Sequence, residues 1–348
     1  MTSRSSMTDC RHMHLLGLDI GGANIKLFHS AGHAICIPFQ MWLRPASLAD
    51  VLVKVLSDLP RCDFWGVTMT GELADVFADR AEGVRSIVQQ TMGAAQQEKI
   101  EAVGFYASPG TFLTAADAIE ATESVASANW HALSYWATTW ITEPSLLIDI
   151  GSTTADLIPI SPGHVATPSR TDHDRLRRNE LVYLGIGRTP VCSLVDTLPF
   201  NGAEVPVMRE LFATTDDCAI LLGWTPEAID DDDTSDARPR TRLAAANRLA
   251  RMIGLDHSNV SMDQAASMAL RVMHRAAELV SAATASQAFH GASQWIVSGH
   301  ARQLIKSPAN VTVIDLASRL GSNVSRVAPA FAICDLIRSG VLSIERTR

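Results

Sequence analysis

The chain is poor in the features that mark secreted, zinc-binding and membrane proteins. It has six cysteines, none of them in C-x-x-C spacing, which argues against a zinc knuckle and a disulfide framework. No apolar run reaches the roughly 20 residues of a membrane span. The start, "MTSRSSMTDCRHMH", lacks the apolar core of a signal peptide. We therefore expect a cytoplasmic protein with reduced thiols and no membrane partner.

Basic residues are also scarce. The chain has 29 Lys and Arg against 37 Asp and Glu, a net charge of -8. This balance argues against a nucleic-acid partner, which requires a basic face. The 348 residues, 47% of them hydrophobic, are too many for one ordinary core and predict two domains. We expect an α/β protein that acts on small molecules, and leave a homo-oligomer open.

Two similar segments lie about half a chain apart. Each predicts a strand, a tight loop, a second strand, a turn and a third strand. They are "HLLGLDIGGANIKLFHSAGHAICIPFQ", which begins at His14, and "SLLIDIGSTTADLIPISPGHVAT", which begins at Ser145. The pattern is typical of an internal duplication. It predicts one domain at residues 1–142 and a second at residues 143–348.

The rest of the chain alternates between helical and strand patterns. Helices are predicted at "SLADVLVKVLSDL" and "VRSIVQQTMGAAQQ", and strands at "DFWGVTMTG", "IEAVGFYA" and "QWIVSG". The segment "AADAIEATESVASANWHALSYWATTW" predicts a long helix or a broken pair. Residues from about 240 to 288 are largely helical in pattern, and two helical segments close the chain.

The two tight loops carry the strongest chemical signal. Each has Asp-Ile-Gly at the end of an apolar strand, followed by small residues. Glycines let backbone N–H groups approach an anion, and a strand-end aspartate can hold a hydrated Mg²⁺ that bridges to phosphate. Two such loops facing across a cleft would hold one diphosphate, whereas the alternative is two structural hairpins. The residues are Asp19, Gly21, Gly22, Asn24 and Lys26, and Asp149, Gly151, Ser152, Thr153, Thr154 and Asp156.

These loops resemble the phosphate-1 and phosphate-2 motifs of the acetate kinase–sugar kinase–Hsp70–actin superfamily. The resemblance implies two RNase H-like domains, of the actin and Hsp70 type, with a cleft between them. "WIVSGHARQL" at residues 295–304 occupies the position of the superfamily's adenosine motif, but His300 replaces a glycine. Ala23 likewise replaces the threonine that sugar kinases of this type carry after Gly-Gly. Both departures argue against ordinary ATP phosphotransfer.

Longer segments resemble the hydantoinase/oxoprolinase branch, and within it the proteins of tetrahydromethanopterin-linked one-carbon metabolism. They are "TMTGELADVFADRAEGV", "SANWHA", "NELVYLGIGRTPVCSL", "FATTDDCAILLG" and "RPRTRLAAANRLARMIGLD". The resemblance implies a step of methanofuran- or methylofuran-type cofactor biosynthesis. In that step an aminomethylfuran-methyl diphosphate condenses with the phenol of a tyramine- or tyrosine-derived acceptor and releases pyrophosphate.

For that reaction we expect the two loops, Lys26 and Mg²⁺ to bind the leaving diphosphate. Asp19, Asp149 and Asp156 are the expected metal ligands. Asp149 and Glu72 are candidate proton acceptors by motif position, although Glu72 could equally cap a helix. Arg188 in "GIGRTP" is expected to contact phosphate, with a surface carboxylate as the alternative. Asp19, Asp149 and Glu72 are thus the predicted catalytic residues.

Other activities and other residues stay open. The same scaffold would suit an ATP-dependent kinase, a hydantoinase/oxoprolinase-type hydrolase or a non-catalytic nucleotide sensor. Asn129 and Trp130 are at least as well explained by a core or capping role. Residues 230–233 form an acidic run that predicts a solvated loop. His29 and His33 flank a turn without a cysteine or carboxylate beside them, so no metal site is expected there.

Overall fold

The computed structural model describes residues 13–286, 291–300 and 302–344, so the N-terminal tail lies outside the described residues. The strands are β1 (Leu15–Ile20), β2 (Asn24–His29), β3 (His33–Pro38), β4 (Phe64–Met69), β5 (Val103–Ala107), β6 (Thr111–Leu113), β7 (Ser145–Ile150), β8 (Ala155–Ser161), β9 (His164–Val165), β10 (Leu181–Val182), β11 (Thr197–Phe200), β12 (Ala203–Pro206), β13 (Gln294–Gly299) and β14 (Thr312–Asp315).

Helices cover much of the remainder. They are α1 (Leu48–Leu56), α2 (Arg80–Gln97), α3 (Ala115–Glu120), α4 (Thr122–Val125), α5 (Asn129–Thr138), α6 (Asp172–Arg177), α7 (Val191–Leu194), α8 (Thr215–Leu221), α9 (Arg242–Arg251), α10 (Met262–Thr284), α11 (Leu316–Leu320), α12 (Ser322–Arg326) and α13 (Ala328–Arg338). Within the described ranges, no helix combines the length and the apolar character needed to cross a membrane.

Each half of the chain forms a sheet, and four central strands follow the same order in both, β2-β1-β4-β5 and β8-β7-β13-β14. The first sheet is β3-β2-β1-β4-β5-β6, and the second is β10-β8-β7-β13-β14 with β9 also paired to β8. Strand β2 is antiparallel to β1, and β8 is antiparallel to β7. On the other side, β4 and β5 run parallel to β1, and β13 and β14 run parallel to β7. This order and these directions are those of RNase H-like domains. The predicted α/β fold of two such domains is therefore confirmed.

The first strand of each sheet is buried along its whole length. A strand covered on both faces needs apolar residues at every position, which explains why β1 and β7 read as continuous apolar runs. In each, one aspartate near the strand end interrupts the run. In the strand register, Asp19 of β1 lies opposite Lys26 of β2, and Asp149 of β7 lies opposite Asp156 of β8. The duplication thus extends to the register of single residues.

Two helices, α5 and α13, lie between the sheets and share one hydrophobic core with both of them. Leu15 of β1 and Leu147 of β7 belong to this core. Gly17 lets α13 approach β1 closely, because an added Cβ would lie 1.9 Å from the carbonyl oxygen of Ala330. The last long helix therefore packs on the first sheet. The division of the chain into one domain at residues 1–142 and a second at residues 143–348 stays a prediction.

Several elements differ from the sequence-based expectation. Residues 115–140 hold three helices instead of one or two, and Ser127, with φ of 50°, separates α4 from α5. The stretch from 240 to 288 contains α9 and α10, and its last two residues lie outside the described ranges. Strand β14 and the β11–β12 hairpin were missed because runs of four residues carry little periodicity.

Candidate active site

The two predicted loops fold into the same turn. The N–H of Gly21 donates to the carbonyl oxygen of Asn24 at 2.9 Å, and the N–H of Gly151 donates to that of Thr154 at 2.8 Å. A Cβ at position 21 would lie 2.8 Å from the Asn24 oxygen, so this close turn requires glycine. The two halves of the chain therefore offer equivalent backbone turns.

The turns meet across one cleft. The Nδ2 of Asn24 donates to the Oγ of Ser152 at 3.0 Å. Both loops line a cavity of about 520 Å³, and so does Arg188, whereas Glu72 does not. Every loop residue assigned from the sequence belongs to this lining. Further lining residues are Ala23, Trp42, Thr70, Leu73, Ala74, Asp75, Ser127, Asn129, Asp172, Arg175, Leu181 and Tyr183.

Asp19 is the most deeply buried of the loop carboxylates, at 1% exposure. Lys26 Nζ lies 3.4 Å from Asp19 Oδ2, while Asp19 Oδ1 has no hydrogen-bond partner. Burial raises the pKa of Asp19 by more than the lysine lowers it. Burial alone would lower the pKa of Lys26, but the negative charges of Asp19 and Asp149 outweigh the effect of burial and raise that pKa. Lys26 is therefore a permanent cation in the cleft.

Asp156 occupies, in the second loop, the register position of Lys26 in the first. Arg175 donates from Nη1 to Asp156 and from Nη2 to Asp172 at 2.6 Å. The guanidinium also lies 4.8 Å from the ring centroid of Trp130. Asp156 is thus engaged by a buried arginine as Asp19 is by Lys26, and the role of Asp156 as a metal ligand stays a prediction.

Glu72 is fully buried behind the cavity. The Oγ of Ser127 lies 2.9 Å from Glu72 Oε1 and 2.9 Å from Asp172 Oδ2. A hydroxyl has one proton to donate, so one of these carboxyl groups must carry its own. Burial raises the pKa of Glu72, whereas Asp172 is paired with Arg175 and Arg80. We therefore assign Glu72 as the neutral acid that donates to Ser127.

The mouth of the cavity is formed by Trp42 and by three exposed residues, Leu73, Tyr183 and Arg188. The guanidinium carbon of Arg188 lies 3.8 Å from the ring centroid of Trp42. No carboxylate among the described residues lies within ion-pair distance of this arginine. Burial lowers the pKa of Arg188, but Asp233 and Asp75 lie near enough for their charges to oppose this effect, so the phosphate contact and the surface carboxylate alternative both stay predictions.

His300 follows β13 at the place where Thr70 follows β4. The N–H groups of both residues donate to the end of a first strand, at Ile150 (2.8 Å) and at Ile20 (2.9 Å). Burial, with Lys26 nearby, lowers the pKa of His300 to about 3. Thr70 lines the cavity, whereas no described residue of 295–304 does. The cavity thus extends away from the segment that resembles an adenosine motif.

The lining fits a divalent cation that accompanies an anion. Its five carboxylates, from Asp19, Asp75, Asp149, Asp156 and Asp172, exceed its three cations by two. A diphosphate would therefore need additional positive charge. Mg²⁺ keeps most of its waters and needs only one or two carboxylates. Among the described residues, no three His, Cys, Asp or Glu side chains cluster as metal ligands.

The structure also locates the acidic run at residues 230–233 and the two residues, Asn129 and Trp130, for which a core or capping role was considered. Asp230, Asp232 and Asp233 are exposed, as expected of a solvated loop, whereas Asp231 is half-buried and lies 3.1 Å from Arg240 in an ion pair. Trp130 is buried in the core shared by the two sheets. Asn129 begins α5 and lines the cavity.

Sequence reasoning missed several residues of the cavity wall. Asp172 and Arg175 lie on α6, 16 and 19 residues beyond Asp156, and no local motif marks them. Ser127 stands in the motif "SANWHA", so its position was visible although its role was not. The cap of α2 is Asp79, which argues against the capping role considered for Glu72.

Comparison with known proteins agrees with these observations. The hydantoinase/oxoprolinase family model matches residues 63–336. A protein of Methanocaldococcus jannaschii named (4-{4-[2-(gamma-L-glutamylamino)ethyl]phenoxymethyl}furan-2-yl)methanamine synthase is 30% identical over 330 residues, 93% of this chain and 97% of its own. A protein of the same name from Methanococcus vannielii is 28% identical over 203 residues, 56% of this chain and 90% of its own.

Among solved structures, nucleotide-free acetone carboxylase matches with a TM-score of 0.45 and 12% identity. The match covers 89% of this chain and 51% of that chain, so the present chain spans about half the length of acetone carboxylase. The family model covers most of the chain, and the M. jannaschii relative is similar along nearly all of it. This protein therefore belongs to the hydantoinase/oxoprolinase family.

Proposed function

We propose that this protein condenses an aminomethylfuran-methyl diphosphate with the phenol of a tyramine- or tyrosine-derived acceptor. The reaction would belong to methanofuran- or methylofuran-type cofactor biosynthesis and would take place on small molecules in the cytoplasm. The proposal is supported by the relative from M. jannaschii, whose name describes a phenoxymethylfuran product and which is similar along 93% of the chain.

The observation that carries the proposal is the pair of equivalent turns joined by Asn24 and Ser152. Both turns border the same cavity beside the cation Lys26. Backbone N–H groups in such turns are suited to phosphate oxygens. Two turns facing each other suit two linked phosphates, one for each turn. A diphosphate is thus the anion that fits this cleft best.

In the proposed reaction, the bond between the furfuryl carbon and a diphosphate oxygen breaks, and its electron pair leaves with pyrophosphate. A bond forms between that carbon and the phenol oxygen, and the phenol proton passes to a carboxylate. The protein's contribution is then to stabilise the leaving anion and to place the phenol. Lys26 and the two turns serve the first task.

The proton acceptor must reach the substrate. Asp149 lines the cavity and has its Oδ1 held by the hydroxyl of Ser298, whereas Glu72 is enclosed behind the wall. We therefore favour Asp149 over Glu72 as the acceptor. Asp19, with its unpaired Oδ1, would hold Mg²⁺. When bound, Mg²⁺ would supply positive charge for the departing pyrophosphate.

The decisive assay supplies the purified protein with the furfuryl-type diphosphate, tyramine or tyrosine, and Mg²⁺, without ATP. We expect pyrophosphate and the aryl ether in equal amounts, the ether being identified by mass spectrometry. Chelation of the metal should stop the reaction. Strict dependence on ATP, with ADP and phosphate formed in step with product, would favour the kinase or hydrolase alternative. Tight ATP binding without any product would favour the nucleotide sensor.

A further inference from the structure

The stacked pair of Trp42 and Arg188 spans the mouth of the cavity. Trp42 follows the first sheet's β3, and Arg188 follows the second sheet's β10. The guanidinium carbon of Arg188 lies over the Trp42 ring, 3.8 Å from its centroid, which is within the range of a cation–π contact. The pair is therefore a flat, polarised surface contributed by both halves of the chain.

Backbone hydrogen bonds tie Arg188 and the residue before Trp42 to the two loops. The N–H of Met41, which precedes Trp42, donates to the carbonyl oxygen of Gly22 at 2.9 Å. The N–H of Arg188 donates to the carbonyl oxygen of Ser152 at 3.0 Å. The stacked surface is thus fixed next to the two turns, at the point where the cavity passes from polar loops to exposed Leu73 and Tyr183.

We propose that the Trp42–Arg188 pair is the binding surface for the furan ring of the diphosphate substrate. The proposal rests on the function proposed above. The furan is joined to the diphosphate through a single methylene, so a diphosphate held by the turns must leave its ring beside them. The phenol is not covalently joined to the diphosphate, so its position is not fixed by the two turns. A planar ring beside the turns can stack on an indole or on a guanidinium.

This role differs from the phosphate contact expected for Arg188 from the sequence. A guanidinium used as a bidentate phosphate ligand points its N–H groups at the oxygens. The Arg188 guanidinium instead covers an aromatic face. In the proposed role, Arg188 and Trp42 add affinity for the ring of an alkyl diphosphate, so their loss weakens binding of that ligand more than binding of pyrophosphate.

The test compares two ligands, pyrophosphate and a furfuryl thiolodiphosphate whose bridging sulfur resists cleavage. Binding is measured by calorimetry with Mg²⁺ and without phenol. The variants are Arg188→Met, which keeps an apolar stem, and Trp42→Leu, with Trp42→Phe as the conservative rescue. Arg319→Met is the matched control, because Arg319 lies 3.9 Å from the ring centroid of Trp140 in a similar stack that does not line the cavity.

We expect Arg188→Met and Trp42→Leu to weaken binding of the furfuryl ligand about tenfold, the scale of one aromatic stacking contact. Pyrophosphate affinity should stay the same in Trp42→Leu and should fall clearly less than the furfuryl affinity in Arg188→Met, which also removes one of the three cations of the lining. Trp42→Phe should recover most of the loss. Arg319→Met should change neither affinity. An equal loss of affinity for pyrophosphate and for the furfuryl ligand in Arg188→Met would make Arg188 a phosphate ligand and overturn the proposal.

Unchanged affinity for the furfuryl ligand in both variants would likewise overturn it. If only the KM for the phenol rises, the pair serves the acceptor and the assignment to the furan is wrong. The binding measurements need no turnover. Failure of the proposed reaction would instead appear as absence of aryl ether with the unmodified protein, and the two failures are therefore distinguishable.

Discussion

Asn24 and Ser152 lie 128 residues apart in the chain, yet their side chains join the two halves of the protein by a hydrogen bond of 3.0 Å. Each belongs to one of the two equivalent turns. The bond therefore fixes the distance between the two groups that are proposed to hold the two phosphates.

We expect this bond to contribute to diphosphate binding. A neutral hydrogen bond contributes about 1 kcal/mol, so Asn24→Ala and Ser152→Ala should each weaken binding of Mg²⁺-pyrophosphate about fivefold, and the double variant no further. Calorimetry on all four proteins measures the coupling. Gln264 and Asn201 form a matched exposed pair at 2.8 Å, whose removal should not alter binding. Additive losses at Asn24 and Ser152 would contradict a direct coupling.

The carboxylates of the two loops should matter for activity more than for stability. Asp19→Asn and Asp149→Asn are each expected to lower turnover about a hundredfold or more, the scale of one lost electrostatic contact in the transition state. Asp19 is desolvated and has one unpaired oxygen, which offsets part of the loss of its ion pair with Lys26, so the free energy of unfolding should fall by no more than about 3 kcal/mol in Asp19→Asn. The exposed Asp50 provides the control substitution.

Steady-state assays at several Mg²⁺ concentrations and urea denaturation measure these two effects. Near-normal turnover of either variant in saturating Mg²⁺ would show that the two-loop diphosphate site is wrong.

Glu72 should tolerate replacement by its neutral isostere. If Glu72 is protonated and donates to Ser127, the amide of Glu72→Gln can make the same donation, and both turnover and stability should stay close to those of the unmodified protein. Ser127→Ala leaves two carboxyl groups without that partner and should lower the free energy of unfolding by about 1–3 kcal/mol. Abolished turnover in a folded Glu72→Gln variant would instead identify Glu72 as the proton acceptor.

The two loops could be predicted because their signal is local. Asp-Ile-Gly at the end of a buried strand requires the same turn in both halves, and the turn brings its own carboxylate and N–H groups. Lys26 was visible for the same reason, since it pairs with Asp19 across adjacent strands. The fold followed from the repetition of this pattern in the two halves.

The walls of the cavity could not be predicted in this way. Arg175 reaches Asp156 from a short helix, and Ser127 reaches Glu72 from 55 residues away. Trp42 and Arg188 meet only because the two sheets face each other. Such contacts depend on the packing of the halves, which leaves no periodic trace in the sequence. Burial also raises the pKa of Glu72 above that of an exposed glutamate, which its sequence position does not reveal.

The close approach of α13 to the first sheet should depend on Gly17. Gly17→Ala places a methyl group against the backbone oxygen of Ala330, so the free energy of unfolding should fall by about 1–3 kcal/mol or more. Gly93 is the matched control, because it lies inside α2 with nothing near its missing Cβ. Gly93→Ala should increase stability by up to about 1 kcal/mol. Equal urea midpoints for the two variants would contradict this packing.

His131 should make the stability of the protein depend on pH. It is buried, with its Nδ1 2.8 Å from the hydroxyl of Tyr106. Burial lowers the pKa of His131 to about 4 from the usual value of 6.5. Between these values the unfolded chain binds more protons than the folded protein. The contribution of this residue is therefore complete above about pH 6.5 and is lost as the pH falls toward about 4.

The full loss would be roughly 3 kcal/mol, and it can be isolated by substitution. His131→Asn keeps a polar group near Tyr106 but does not titrate in this range, so its free energy of unfolding should fall less steeply between about pH 7 and about pH 4.5. Urea denaturation at a series of pH values provides the measurement, and His164→Asn, at an exposed position, is the control. The same slope in His131→Asn and in the unmodified protein would mean that other groups cause the acid sensitivity.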